Sequence, residues 1–302
     1  MPQEKTSMSV KLIKVCGIDI GCYTPGRLRG EIATPLRDDS QKFVAKINSE
    51  FLLRSIKDSE FRAVLSKAQI AVPDGMGVLW AAKFLSIPVS ENKPIRIIQS
   101  VWQMVYSGVS LIFYPKYVKT VIPERVGGVD LMLSMLKTCA KEKKKVFFLG
   151  GSKGVAGKVK EITEAEIEGL NIAGTYDGKA ENVSEIVKVV NNSKAEVLFV
   201  AFGSPKQEFW IRDNLSKLKT VKVAVGEGGS LEFIAGNFKR APKWMQKLGL
   251  EWLWRLFMNK SKSDTGSRLK RIWRAVPVFI YTVVKYKIKN GQTINENKKV
   301  QI

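Results

Sequence analysis

Between Lys145 and Ser230 the chain repeats one unit four times: a short apolar run, a turn bearing glycine or proline, then a segment with helical spacing. Residues 145–149, 170–176, 196–201 and 221–225 read as strands. Residues 155–168, 183–191, 206–218 and a stretch from Ser230 read as helices. Strands that alternate with helices in this way argue a sheet covered on both faces. This predicts an α/β fold: a parallel sheet with helices on both faces. Ligands of such sheets sit outside the carboxyl ends of the strands, and the notable polar motifs of this chain fall on such ends.

Upstream, residues 68–72 read as a further strand, ending in Pro73-Asp74-Gly75. Residues 48–67, 76–85 and 130–142 have helical spacing. Residues 1–10 are expected to be a disordered lead-in, and 10–45 show no clear pattern. Residues 88–122 are apolar and aromatic between two prolines, the look of an insertion. A polar stretch at 259–267 suggests a boundary. The organisation is therefore an N-terminal segment 1–45, a core 46–258 containing the insertion, and a basic amphipathic appendage 259–302.

The 302 residues carry 50 Lys and Arg against 28 Asp and Glu, a net charge of +22. With 45% hydrophobic residues the chain is globular in composition. The excess charge implies a polyanionic partner: nucleic acid, an anionic membrane surface or a phosphate-rich substrate. Residues 239–289 hold 14 basic residues and two acids, Glu251 and Asp264. There is no histidine, which excludes a Ser-His-Asp triad, His-ligated zinc and imidazole catalysis. Proton transfer falls to a carboxylate, Lys, Tyr or Cys. The three cysteines suit neither a zinc spacing nor a disulfide framework, so a reducing cytosol is expected. The N-terminus lacks the apolar region of a signal peptide. No window reaches the ~18 uncharged apolar residues of a spanning helix. The protein is expected to be soluble or to lie on a membrane.

Several residues are candidates for chemistry. Gly150-Gly151-Ser152-Lys153-Gly154 joins a strand to a helix, where free backbone N–H groups suit a phosphate. It matches neither a Walker A nor a GxGxxG pattern, and a plain tight turn is an equal reading. Gln207 and Glu208 open a helix after Gly203-Ser204-Pro205. Glu208 either complements the helix dipole or serves a ligand, and Gln207 could read an amide or a uracil edge. Asp74 leaves a buried strand just before Gly75 and Gly77, which would let another molecule approach closely. It is either a base for an alcohol or the N-cap of the next helix. Arg125 and Arg240 could meet phosphate bidentately, and Asp130 reads as a helix cap. From Trp244 onward Trp alternates with Arg and Lys. This suits an interfacial amphipathic segment, an RNA-binding surface or a core-packed helix. The apolar block 275–284 favours lipid.

Taken together, VPDGMGV, PERVGGVDL, FFLGGSKGVA, the SPKQEFW block and GEGGSLEFIAGNFKRAPKWMQKLGLEWLWRL resemble the WecG/TagA/CpsF glycosyltransferases of bacterial surface-polymer synthesis. The matching stretches lie between about residues 48 and 274. The resemblance implies a Rossmann-like core and inverting transfer of an N-acetylmannosamine-type sugar. The donor would be a UDP-sugar. The acceptor would be the 4-hydroxyl of N-acetylglucosamine on a polyprenyl diphosphate, in teichoic acid or other surface polysaccharide synthesis. It implies no cofactor and no metal, with Asp74 as the base. Substrate binding would fall to Asn48, Arg125, Gly150, Gly151, Gly154, Gln207, Glu208, Gly228, Glu232 and Arg240. Arg255 and, in the basic appendage, Arg268, Arg271 and Arg274 would meet the membrane and the acceptor at the inner face of the cell membrane. Nucleic acid is then not a partner, and a homo-oligomer is allowed. The chain departs from the family pattern at four positions. Lys46 stands for Thr, Gly127 for Thr, Glu227 for an apolar residue and Glu232 for Asp. These departures admit an alternative, a catalytically altered membrane-associated member. A basic nucleic-acid-binding protein is a further alternative.

Overall fold

The structure is a computed structural model that describes residues 10–38, 40–247, 254 and 274–294. Leu12–Val15 (β1) and Ile18–Gly21 (β2) pair as an antiparallel hairpin. Its turn is Cys16-Gly17, at φ 51° and 86°, the consecutive positive φ values that match a two-residue turn to strand twist. Pro25–Ala33 (α1) follows, capped by the Thr24 hydroxyl.

Lys42–Ile47 (β3) leads into Ser49–Lys57 (α2) and Ser59–Leu65 (α3), then Ile70–Pro73 (β4) and Met76–Ser86 (α4). The helix expected over 48–67 is two helices. Asp58 is extended and its Oδ1 accepts from Phe61 N at 2.9 Å, ending one helix and capping the next. The expected boundary after residue 45 falls inside β3. Residues 88–122 form Lys93–Phe113 (α5) and Pro115–Val118 (α6).

The alternating half runs Gly128–Lys141 (α7), Lys145–Gly150 (β5), Val155–Glu166 (α8), Asn171–Tyr176 (β6), Val183–Ser193 (α9) and Val197–Ala201 (β7). It continues with Lys206–Asn214 (α10), Val223–Gly226 (β8) and the short Ser230–Ile234 (α11). Lys243–Lys247 (α12) and Phe279–Asn290 (α13) complete the described elements.

Six strands form one parallel sheet in the order β4-β3-β8-β7-β5-β6. Alternate residues feed opposite faces. Phe147 and Leu149 pack with α2, α3, α4, α10 and α13, whereas Val146 and Phe148 pack with α1, α7, α8 and α11. Both faces are covered, as the sequence pattern requires.

The C-terminal helix corrects one expectation. The apolar block 275–284 does not present its bulk to lipid: Phe279, Val283 and Val284 are buried in the core. Phe279 meets Trp80 edge-on, with ring centroids 6.0 Å apart. Arg255, Arg268, Arg271 and the 259–267 boundary lie outside the described residues. Arg274 begins a π-helical turn, Arg274–Val278, and its side chain is not described. Among the described residues no helix is long and apolar enough to cross a membrane.

Candidate active site

Three adjacent strands, β4, β3 and β8, deliver Asp74, Lys46, Asn48 and Glu227 to one edge of the sheet. Register aligns Lys46 with Val72 and Ile47 with Pro73. Asp74 N then donates to Ile47 O at 2.7 Å, and Val126 N to Pro73 O at 2.7 Å. These bonds fix the turn that carries the Asp74 carboxylate, which is half-buried at the rim. The helix-cap reading of Asp74 falls away. The N-cap of α4 is Gly75 at φ 102°, and it has no side-chain cap. A side chain added at Gly75 would meet nothing within 4 Å, whereas one at Gly77 would strike Ser49 and Phe279. Gly75 therefore borders open space, and Gly77 serves internal packing rather than a visiting molecule. Asn48 caps α2, its Oδ1 accepting from Phe51 N at 2.9 Å, so any ligand contact falls to Nδ2.

Beneath this edge lies a buried charge cluster. Lys46 Nζ donates to Glu227 Oε2 at 2.5 Å and to Ser230 Oγ at 3.3 Å. Both partners are under a tenth exposed. Burial pushes the Glu227 carboxyl up; Lys46 opposes this, and the charge of Asp74 adds to the rise. Asp74 is thus in electrostatic reach of Glu227. Burial also raises Glu208, against hydrogen bonds from Gln207 and Ser204. Glu208 is buried, so solvated complementation of the helix dipole does not describe it.

Gln207, a candidate reader of an amide or a uracil edge, forms an internal strap. Its Oε1 accepts from Gly228 N at 3.0 Å and its Nε2 donates to Glu208 Oε1 at 2.7 Å. Each end of the amide is engaged, and the side chain is buried. Gly228, at φ 52°, is held in its turn by the same bond.

The Gly150–Gly154 turn is not an open cradle. Gly151 N donates to Ala201 O, and Val155 N to Ser152 O. Ser152 N donates to Glu232 Oε1 at 3.2 Å and Gly154 N to Asp177 Oδ2 at 2.6 Å. Two carboxylates therefore hold the positions an anion would take. Burial works against the charge of Glu232, but the bonds from Ser152 and Asn237 outweigh it and keep that carboxyl below its usual range. Gly150 is a packing requirement: at φ 87°, a Cβ there would lie 2.8 Å from the Phe202 ring and 3.0 Å from the Ala201 backbone.

The arginines are engaged as well. Arg240 grips Asp130 through Nη1 at 2.9 Å and Nη2 at 3.4 Å. Asp130 is thus an arginine partner rather than a cap; the N-cap of α7 is Gly127, without a side-chain bond. Arg125 donates to Gln246 O on α12. A cavity of about 240 Å³ between α1 and α7 reaches Arg125 and Asp130 but not Asp74. Sequence reasoning missed Asp177, whose only signal was its place just past the end of a strand. Among the described residues no three His, Cys, Asp or Glu side chains group as a metal site.

A doubly covered parallel sheet with its carboxylates and glycine turns on one edge defines an α/β protein with a strand-end site. The profile of the glycosyl transferase WecG/TagA/CpsF family matches residues 13–95 and 93–293, two segments that meet at the first turn of α5. The chain belongs to this family. It is 29% identical over 256 residues to the N-acetylglucosaminyldiphosphoundecaprenol N-acetyl-beta-D-mannosaminyltransferase of Bacillus spizizenii, spanning 84% of this chain and 82% of that protein. The protein of the same name from Bacillus subtilis is 29% identical over 250 residues, covering 83% and 81%. One from Staphylococcus aureus is 26% identical over 294 residues, covering 96% and 98%.

Proposed function

We propose that this chain transfers an N-acetylmannosamine-type sugar from UDP to the 4-hydroxyl of N-acetylglucosamine carried on a polyprenyl diphosphate, with inversion. The names of the relatives support the acceptor and the sugar. The observation that carries the reading is Asp74: a carboxylate at a strand end, one residue before the Gly75 N-cap of α4, beside open space at Gly75.

Inversion requires the acceptor oxygen to attack the anomeric carbon from the face opposite UDP. Asp74 takes the acceptor proton as that bond forms, a contribution of about 10²- to 10⁴-fold. The departing diphosphate needs positive partners aimed at it. The groups suited to it are the amides of Ser152 and Gly154 with Arg125 and Arg240. Each is answered by a protein oxygen when no donor is bound, and the diphosphate replaces those oxygens. Lys46 and Glu227 hold the floor of the site. A lipid-borne acceptor supports a position at the cytoplasmic face of the membrane, where Arg255, Arg268, Arg271 and Arg274 would serve anionic headgroups.

The test is UDP release by the full chain from UDP-N-acetylmannosamine with a short-chain polyprenyl diphosphate N-acetylglucosamine, with the new linkage assigned by NMR. A β-linked disaccharide is expected. Donor binding without any UDP release would instead mark a family member that has lost catalysis.

A further inference from the structure

The protein-facing side of helix α5 carries buried Ser100, Ser107 and Ser110, with Met104 and Leu111 packed against the core. Trp80 Nε1 on α4 donates to Ser107 Oγ at 3.0 Å. The opposite side carries Ile98, Trp102, Val105, Val109 and Phe113, spaced three and four apart on one stripe. Ile98 and Trp102 are 71% exposed and Phe113 is 81% exposed. A surface helix of a soluble protein turns its apolar stripe inward. A contiguous exposed stripe of this kind marks an interaction surface.

The charge carried by residues 92–123 has one sign. No Asp or Glu occurs from Asn92 to Pro123. Lys93, Lys116 and Lys119 are exposed beyond the two ends of the stripe. Two copies of α5 laid face to face would bring these lysines together with no acid on either helix to answer them. An anionic lipid surface answers them directly and takes the apolar stripe between its headgroups.

We propose that the exposed face of α5 is the membrane-docking surface of this protein, with the helix lying in the plane of an anionic bilayer. Over 21 residues it would lie along about 32 Å of interface. Helix α4 starts at the Asp74 turn and is bonded to α5 through Trp80 and Ser107, so docking sets the height of the site above the lipid. The inference rests on the transferase reading for its lipid-borne acceptor, but its test does not.

The experiment is flotation of the full chain with vesicles of phosphatidylcholine and phosphatidylglycerol that contain no sugar nucleotide or diphosphate lipid. Trp102→Asp with Val105→Asp should lower partitioning by about tenfold or more, with the circular dichroism of the parent. Trp102→Phe should bind as the parent does. Lys116→Gln with Lys119→Gln should weaken binding at low salt. The double-Asp variant should still release UDP with a soluble short-chain acceptor, which separates docking from transfer. Undiminished flotation of a folded double-Asp variant would overturn the proposal. So would a lipid-free dimer of the parent that this variant converts to monomer in sedimentation velocity, since the occupant would then be a second copy.

Discussion

Lys46 and Glu227 stand 181 residues apart in sequence and form a buried ion pair of 2.5 Å beneath Asp74. The resemblance sets each apart when read alone. In the fold they answer one another: Lys46 on β3 meets Glu227 just past β8. Lys46 Nζ lies 3.1 Å from the position a Cβ on Gly128 would occupy, so glycine there makes room for the ammonium. The two residues form a unit.

The pair should therefore behave non-additively. Lys46→Met leaves a buried carboxylate without its partner and should cost about 3–5 kcal/mol in urea unfolding. Lys46→Met with Glu227→Leu should recover most of that loss, and the double-mutant cycle should show strong coupling. Equal and additive losses would dissolve the unit.

Asp74→Asn keeps the shape of the turn and the Asp74 N to Ile47 O bond. Transfer should fall by about 10²- to 10⁴-fold with little change in thermal midpoint. Turnover near the parent rate would take the base role away from Asp74.

Gln207→Ala removes the strap between Gly228 and Glu208 and should cost about 1–3 kcal/mol in unfolding free energy. A pure uracil reader would instead raise KM for the donor and leave stability unchanged.

Lys287 on α13 is buried, donating to Phe84 O and to Gln103 Oε1. Burial lowers its pKa to about 7. In the unfolded chain a lysine titrates near 10.4, so between about pH 7 and that value the unfolded state binds more protons and stability rises with pH. Cys16, Cys139 and Tyr23, raised by burial to about 12, act in the opposite direction once pH passes their unfolded values of about 8.5 to 10. Urea unfolding from about pH 7 to 8.5 should show the rise in the parent, and Lys287→Met should flatten it.

Treatment with EDTA should leave transfer unchanged, because the candidate partners of the diphosphate are amides and arginines. A strict magnesium requirement would force a different account of the leaving group.

The alternating half of the fold was legible because four strands in sequence, each followed by a helix, leave few other readings. The same logic placed Asp74, Glu227 and the glycine turns on one edge. What escaped was settled by pairing across the chain. The β1–β2 hairpin has strands of four residues and a Cys-Gly turn, too little period to stand out from its charged surroundings. Gln207, Glu232 and Arg240 stood out as candidates, but their bonds to Gly228, Ser152 and Asp130 follow from partners that no local pattern announces. The C-terminal block had the composition of a lipid-seeking segment. Only the fold shows that Phe279 and Val283 complete the core while α5, read as an insertion, carries the exposed apolar stripe.

The seating of α13 has a consequence for a broken chain. Phe279 packs beside Gly77 and Trp80 near the start of α4, and Lys287 bonds to Phe84 near its end, so the last helix clamps α4 along most of its length. A protease cut between residues 248 and 273 would sever the backbone but leave this clamp whole. The two pieces should stay together as a split protein, and the short one, supplied separately, should restore a large fragment made without it.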